Sequence, residues 1–308
     1  MNGIENYIEQ ILSAYDNLIK EKHPGDPDTR YRSWEWCRKA FLEGKKEYWK
    51  KGTTDKKKKE IIDYLALHLG FYLASWGMYR GSSFLLKRDY KTHIRVVELI
   101  LDKRYQILWN IDYSSLKGKD IDNICDLIFN KPDGISHRIK EIYKKKKDFF
   151  VDLDDEKEDI PSDTLVSKLL LGTFGCVPAF DSLLTQGISA FKKTGFYKTE
   201  KISGKTLPQC FNEKSYKWLV SFAVKYNTII EKWTRKGYTP MKCIDMFFWQ
   251  IGLEKQYAEY LENKADLEKN EKKEKRIIKI VRKMKICKEN NRSDIIAEIK
   301  KHYTGANC

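Results

Sequence analysis

The chain has 308 residues, enough for one large domain or two smaller ones, with an apolar fraction of 41% and only seven prolines. Its formal charge of +15 comes from 59 lysine and arginine residues against 44 carboxylates, and this surplus favours a polyanionic partner. Nucleic acid is the favoured partner, and an anionic membrane surface is the alternative.

The seven cysteines occur singly, without a CxxC pair and without a histidine at metal-ligand spacing. This pattern excludes the usual zinc motifs and a disulfide framework, so we expect no metal and no cofactor. The first residues, MNGIENYIEQ, do not read as a signal peptide, and no segment has the apolar run of a membrane span. We therefore expect a cytoplasmic protein.

Apolar residues recur at helical spacing along nearly the whole chain, beginning with residues 4–19. Residues 60–80 are apolar almost all round, which predicts the buried central helix of its half. Further helical patterns cover 91–109, 119–130 and 214–233, and no alternating run of β-branched residues appears. The sequence predicts an all-α fold.

Two early segments combine aromatic side chains with cations. Residues 31–52 mix tryptophans with lysines and arginines, which suits base stacking, although core anchors with a charged outer face give the same pattern. In SWGMYRGSS, the residues Trp76, Tyr79 and Arg80 stand between small residues. Either this segment forms a pocket wall, or it is a helix end capped at Gly81.

The stretch SKLLLGTFGCVPAFDSLLTQGIS predicts a helix, a tight corner and a second helix. Gly172 and Gly175 allow a positive φ or a close backbone approach, and Pro178 suits the first turn of the second helix. Asp181 then falls in or next to that turn, where the helix dipole favours a carboxylate. It is either a helix-start residue or a carboxylate held at the edge of a cleft.

The last third of the chain supplies further candidates. Residues 191–212 form a basic loop suited to contacting a polyanion. Asp245 and Trp249 share the flank of a helix whose apolar stripe includes Phe247 and Phe248. We expect a helical core over 1–262, in one body or in two interlocked halves at about 1–150 and 151–262. Residues 263–308 form a peripheral basic helical tail.

The common enzyme signatures are missing: the chain has no Walker A loop, no GxSxG elbow and no HExxH motif. A metal-dependent nuclease would need clustered carboxylates, for which Asp152, Asp154 and Asp155 offer only a loop-like group. A non-catalytic protein that binds DNA or RNA is the other alternative.

The corner resembles the helix-hairpin-helix superfamily of DNA glycosylases, in which an apolar helix, a glycine, a proline and a catalytic aspartate follow one another. The matching residues are Leu169 to Leu171, Gly172 or Gly175, Pro178 and Asp181. The resemblance covers a short stretch, and the family's glycine-rich hairpin is replaced by IPSDTLVSK. Lys168 is too close to Asp181 for the lysine of strand-cutting members, so a monofunctional enzyme is implied.

The resemblance implies a double-stranded DNA partner carrying a damaged or modified base, and antiphage glycosylases acting on modified phage bases are one branch. The target base leaves the stack and enters a pocket, while a carboxylate stabilises the cationic sugar and orients water. Asp181 is the first candidate for that carboxylate and Asp245 the second. The candidate pocket residues are Trp76, Tyr79, Arg80, Trp249 and Gln250. The candidate DNA-binding residues are Lys168, Lys192, Lys193, Lys198 and Lys205.

Overall fold

The computed structural model describes residues 3–20, 32–81, 83–144, 161–199 and 210–262, and it describes only the backbone at 18–20, 198–199 and 260–262. The fold is all-α, as predicted, and no strand occurs in these ranges. The chain divides into two compact units. The central unit comprises Asp28–Ala179 with Phe211–Glu213, and the terminal unit comprises Met1–Pro27, Phe180–Cys210 and Lys214–Cys308. The units therefore interleave along the sequence.

The central unit is built around α3. Its α-helices are α2 (Ser33–Tyr48), α3 (Asp55–Ser75), α4 (Ile94–Ile100), α5 (Gly118–Phe129), α6 (Ile135–Lys144) and α7 (Asp163–Thr173). Short 3-10 helices lie at Phe84–Lys87, Tyr90–His93 and Lys103–Trp109. Helix α3 packs against α2, α4, α7 and the 3-10 helix Tyr90–His93, and buries Leu65, Leu69 and Leu73. The predicted central role is observed, but one side of α3 faces solvent.

Two side chains of α2 bind the carbonyl groups at the end of α7. Trp34 donates its Nε1–H to Leu171 O at 2.9 Å, and the buried Arg38 donates to Thr173 O. Burial lowers the pKa of Arg38 to about 10, so the guanidinium stays charged at neutral pH. A cation is favourable there because the carbonyl end of a helix carries partial negative charge.

The corner after α7 uses its two glycines in different ways. Gly175 has φ 65°, and its N–H donates to Leu170 O at 2.9 Å, which closes the end of the helix. Gly172 is needed for close approach, because a Cβ there would lie 2.4 Å from the ring of Tyr72. The prediction that Pro178 lies in the first turn of the next helix is wrong. Pro178 lies in the non-helical chain that precedes this helix.

The terminal unit contains α1 (Gly3–Lys20), α8 (Ser182–Phe191), α9 (Gly195–Thr199), α10 (Glu213–Lys225), α11 (Asn227–Thr234) and α12 (Pro240–Glu262). Aromatic rings fill its interior: Phe222 lies 5.4 Å from Phe248 and 5.9 Å from Phe191 between ring centroids. Helices α8 and α12 touch almost backbone to backbone. A Cβ on Gly187 would lie 1.8 Å from Phe248 O, and one on Gly252 would lie 2.0 Å from Leu183 O.

Candidate functional site

Asp181 is the N-cap residue of α8. Its Oδ1 accepts hydrogen bonds from Leu183 N and Leu184 N, both at 3.1 Å. Its backbone is extended, with φ −100° and ψ 178°, and the residue is half-buried. These two bonds fix the carboxylate at the positive end of the helix dipole. The predicted helix-start position is thus observed, and a catalytic role stays a prediction.

Asp245 lies in a buried ion pair. It is 3% exposed, and Lys242 Nζ is 2.8 Å from its Oδ2. Lys242 also donates to Tyr15 Oη at 3.1 Å. Burial alone would lower the pKa of Lys242, but the charge of Asp245 and hydrogen bonds with Asp245 and Tyr15 raise the pKa above its ordinary value. The ammonium group of Lys242 therefore stays charged and compensates the negative charge of Asp245.

The two pocket candidates that follow Asp245 on α12 are core residues of the terminal unit. Trp249 is 5% exposed and meets the edge of Tyr15, with ring centroids 5.6 Å apart. Gln250 is completely buried and donates from Nε2 to Glu254 Oε1 at 2.7 Å. Both side chains are thus committed to internal contacts of this unit.

The three pocket candidates of the central unit lie together just after α3. Gly77, with φ 75°, closes that helix through bonds from Gly77 N to Ala74 O and from Met78 N to Leu73 O, the pattern of a Schellman cap. We had placed the cap at Gly81, which instead lies in the following turn with φ 62°. Trp76 and Tyr79 are half-buried, and Arg80 is exposed.

The buried Lys168 belongs to this group. Its Nζ donates to Trp76 O at 3.1 Å and lies 5.9 Å from the centre of the Trp76 ring. The predicted role of Lys168 was contact with DNA, but its side chain is only 6% exposed and is used to hold the end of α3. The structure thus gives Lys168 a positioning role for Trp76.

His93 was not identified from the sequence as a candidate, although it organises the surroundings of Tyr79. It is fully buried; its Nε2 lies 2.7 Å from Tyr79 Oη, and its Nδ1 lies 2.7 Å from Tyr143 Oη. Burial and the charge of Asp89 raise the pKa of Tyr79 to about 12, and burial raises the pKa of Tyr143 as well. Both phenols therefore stay neutral, and the Tyr–His–Tyr chain orients Tyr79.

The predicted DNA-binding lysines of the 191–212 segment are only partly visible. Lys192 and Lys193 are exposed at the end of α8. Only the backbone of Lys198 is described, and Lys205 lies outside the described residues. The same holds for Asp152, Asp154 and Asp155, on which the nuclease alternative depends, and for the tail at 263–308.

A denser set of cations surrounds the connection between α2 and α3, which we call the lysine connection. It contains Lys45, Lys46, Lys50, Lys51, Lys56, Lys57, Lys58 and Lys59. Within residues 45–59 only two carboxylates, Glu47 and Asp55, oppose these eight lysines. The two helix ends meet here, since Lys58 Nζ lies 5.8 Å from the centre of the Tyr48 ring.

Ion pairs leave much of this charge uncompensated. Glu47 pairs with Lys50 at 3.8 Å, and Asp55 with Lys58 at 3.9 Å. Glu60, just beyond the connection, pairs with Lys57 at 3.3 Å. Four exposed lysines have no carboxylate within ion-pair distance in the described part of the chain: Lys46, Lys51, Lys56 and Lys59.

The chain matches no family model, no curated protein and no solved structure. The likeness to helix-hairpin-helix glycosylases therefore rests on the residues of the corner alone. No described helix combines the length and apolar character that crossing a bilayer requires. Within the described ranges, no three histidine, cysteine, aspartate or glutamate side chains converge as a metal site would need.

Proposed function

We propose that the protein binds DNA through the lysine connection. The observation that carries the proposal is the excess of eight lysines over two carboxylates on a short, well-formed connection between two packed helices. Such a concentration of cations neutralises phosphates and releases counterions. It also fits the basic character of the whole chain.

Local stability does not account for these lysines. Lys56 to Lys59 occupy the first turns of α3, where the helix dipole favours carboxylates and disfavours cations. Each lysine is also repelled by its neighbours. A bound phosphate reduces both penalties, because its negative charge compensates the lysines and is favoured at the positive end of the helix dipole.

Four neutral substitutions test this proposal. The variant Lys46→Gln, Lys51→Gln, Lys56→Gln and Lys59→Gln removes the cations that lack an ion-pair partner. We expect its affinity for a fluorescein-labelled duplex to fall at least tenfold at 100 mM salt. The plot of log affinity against log salt should become less steep by up to about 3.6, because each of the four lost phosphate contacts contributes about 0.9 to the slope.

A matched control variant has the same net charge as this fourfold glutamine variant. In the control, glutamine replaces four exposed lysines outside the lysine connection: Lys103, Lys119, Lys214 and Lys232. We expect this control to retain most of the affinity and of the salt slope. Equal losses in the two variants would show that net charge alone drives binding, and would overturn the assignment to the lysine connection.

Base excision is a second candidate function, suggested by the likeness of the corner to glycosylases, and the contrast between the two aspartates favours Asp181 over Asp245 as its carboxylate. Asp181 is half-buried and fixed by two backbone amides, whereas Asp245 is neutralised by Lys242. In a monofunctional glycosylase, the bond between the sugar C1′ and the base nitrogen breaks, and the electron pair leaves with the base. Asp181 would stabilise the cationic sugar and accept a proton from the water that bonds to C1′.

The Asp181→Asn substitution separates a glycosylase from a non-catalytic DNA-binding protein. Asparagine caps helices as well as aspartate, so folding and DNA affinity should be retained. Release of base from modified duplexes, including modified phage bases, should fall a hundredfold or more by mass spectrometry. Asp245→Asn should instead lower stability, because Lys242 loses its buried partner. No base release by the wild type, or equal release by Asp181→Asn, would contradict a catalytic role for Asp181.

A further inference from the structure

Helix α3 carries a row of large apolar side chains that face solvent. Tyr64, Leu67 and Phe71 are 53%, 51% and 54% exposed, and Trp36 of α2, at 48%, lies beside them. The rings of Trp36 and Phe71 are 6.4 Å apart between centroids, and His68 meets the ring of Tyr64 at 4.5 Å. We call Trp36, Tyr64, Leu67, His68 and Phe71 the aromatic face.

The aromatic face does not result from a shortage of buried positions. Leu65, Leu69, Tyr72 and Leu73 already fill the opposite side of α3 and are at most 1% exposed. Scattered apolar residues on a surface need no explanation, but here three exposed apolar side chains lie on one helix and Trp36 of α2 lies next to one of them, Phe71. The spacing i, i+3, i+7 places Tyr64, Leu67 and Phe71 along one side of the helix.

The charges around the aromatic face indicate what covers it. The lysine connection ends in the first turns of α3, one to two turns before Tyr64. Nearby carboxylates are already engaged: Glu43 with Lys39 at 4.0 Å, Glu60 with Lys57 at 3.3 Å, and Asp63 with Tyr90 Oη at 3.2 Å. The lysine connection can bind a polyanion, and the aromatic face beside it can contact flat apolar groups. A partner that covers both therefore has negative charges and flat apolar surfaces.

We propose that the aromatic face stacks the unpaired bases of a single DNA strand whose phosphates bind the lysine connection. Unpaired bases expose π-faces that aromatic side chains can stack on, whereas the bases of a duplex cover each other. From Lys57 to Phe71 the helix rises about 21 Å, which is long enough to lie along several nucleotides of an unpaired strand. The inference rests on the proposed function, since it assigns the second half of the same interface.

The test compares a labelled twelve-nucleotide thymidine strand with a twelve-base-pair duplex at one salt concentration. The variant Trp36→Leu, Tyr64→Leu, Phe71→Leu keeps the surface apolar but removes its three large rings and leaves only the imidazole of His68. We expect its affinity for the single strand to fall at least tenfold, with an unchanged salt slope. Duplex affinity should change less than twofold. Trp36→Tyr with Phe71→Tyr should retain binding, because both rings remain.

A control variant removes exposed apolar side chains elsewhere in the central unit, Leu86→Ala with Ile107→Ala, and should bind as the wild type. Salt-dependent wild-type binding with no effect of the leucine variant would overturn the stacking proposal and leave the lysine connection intact. The stacking proposal would also be overturned if the leucine variant lost affinity equally for the single strand and the duplex. The same holds if this variant changed from dimer to monomer with DNA binding unaltered, because the aromatic face would then contact a second copy of the chain. Failure of the wild type to bind either probe would overturn both proposals.

Discussion

Glu254 is a buried carboxyl group inside the terminal unit. It is 1% exposed, and Gln250 Nε2 donates to its Oε1, whereas its Oε2 has no hydrogen-bond partner among the described residues. Burial raises the pKa of Glu254 to about 8, and the hydrogen bond from Gln250 only partly opposes this. At neutral pH the side chain is therefore mostly the uncharged acid, consistent with its apolar surroundings.

The raised pKa makes the stability of the protein depend on pH. The folded state holds the Glu254 proton up to about pH 8, whereas the unfolded chain releases it near 4.5. The contribution of Glu254 to stability is therefore largest below that lower value and is lost as pH rises through the window between the two. The measurement is the drop in the free energy of unfolding between pH 5 and pH 8.5. We expect this drop to be smaller in Glu254→Gln than in the wild type by about 2–5 kcal/mol.

Glu259→Gln is the control for this measurement, because Glu259 lies on the same helix with its side chain exposed. It should leave the pH dependence of stability as in the wild type. If Glu254→Gln and the wild type lose stability in parallel over this range, Glu254 does not carry its proton in the folded protein.

At the level of elements, the contact between α8 and α12 depends on two glycines. Gly187 faces the carbonyl of Phe248, and Gly252 faces the carbonyl of Leu183, so neither position has room for a Cβ. This contact also fixes the N-terminal end of α8, where Asp181 caps the helix. A substitution of Gly187 or Gly252 can therefore shift the position of Asp181, although neither glycine contacts it.

We expect Gly187→Ala and Gly252→Ala each to destabilise the protein by about 1–3 kcal/mol, because the helices must separate. Alanine raises helix propensity by about 1 kcal/mol, which offsets part of the loss. Gly118→Ala is the control, since a Cβ there meets nothing within 4 Å. Urea denaturation of the three variants provides the comparison. A crossing variant as stable as the Gly118 variant would mean that the helices are not in this close contact.

At the level of the whole molecule, the sequence predicted the helical fold because apolar spacing is a local signal. It also predicted both the corner and the position of Asp181 at a helix start. Contacts between distant residues could not be predicted in this way. His93 is buried against tyrosines 14 and 50 positions away, and no local pattern marks that arrangement.

The sequence also did not show which side of α3 faces solvent. Residues 60–80 are so apolar that periodicity gives no outward face, and only the packing of α2, α4 and α7 leaves Tyr64, Leu67 and Phe71 in solvent. Conversely, Asp245 and Gln250 have the polar character of site residues, but each is hydrogen-bonded to a neighbour inside the core. Their partners Lys242 and Glu254 lie only three and four residues away on α12, but the spacing does not reveal that these pairs are buried.

The central claim is that the surplus of cations binds DNA, and the salt dependence of binding tests it most directly. The measurement is the affinity of the wild-type protein for a labelled duplex between 50 and 200 mM salt. With six or more phosphates neutralised, affinity should fall by about a thousandfold over that range. Affinity that stays flat with salt, or no binding at 50 mM, would contradict the account.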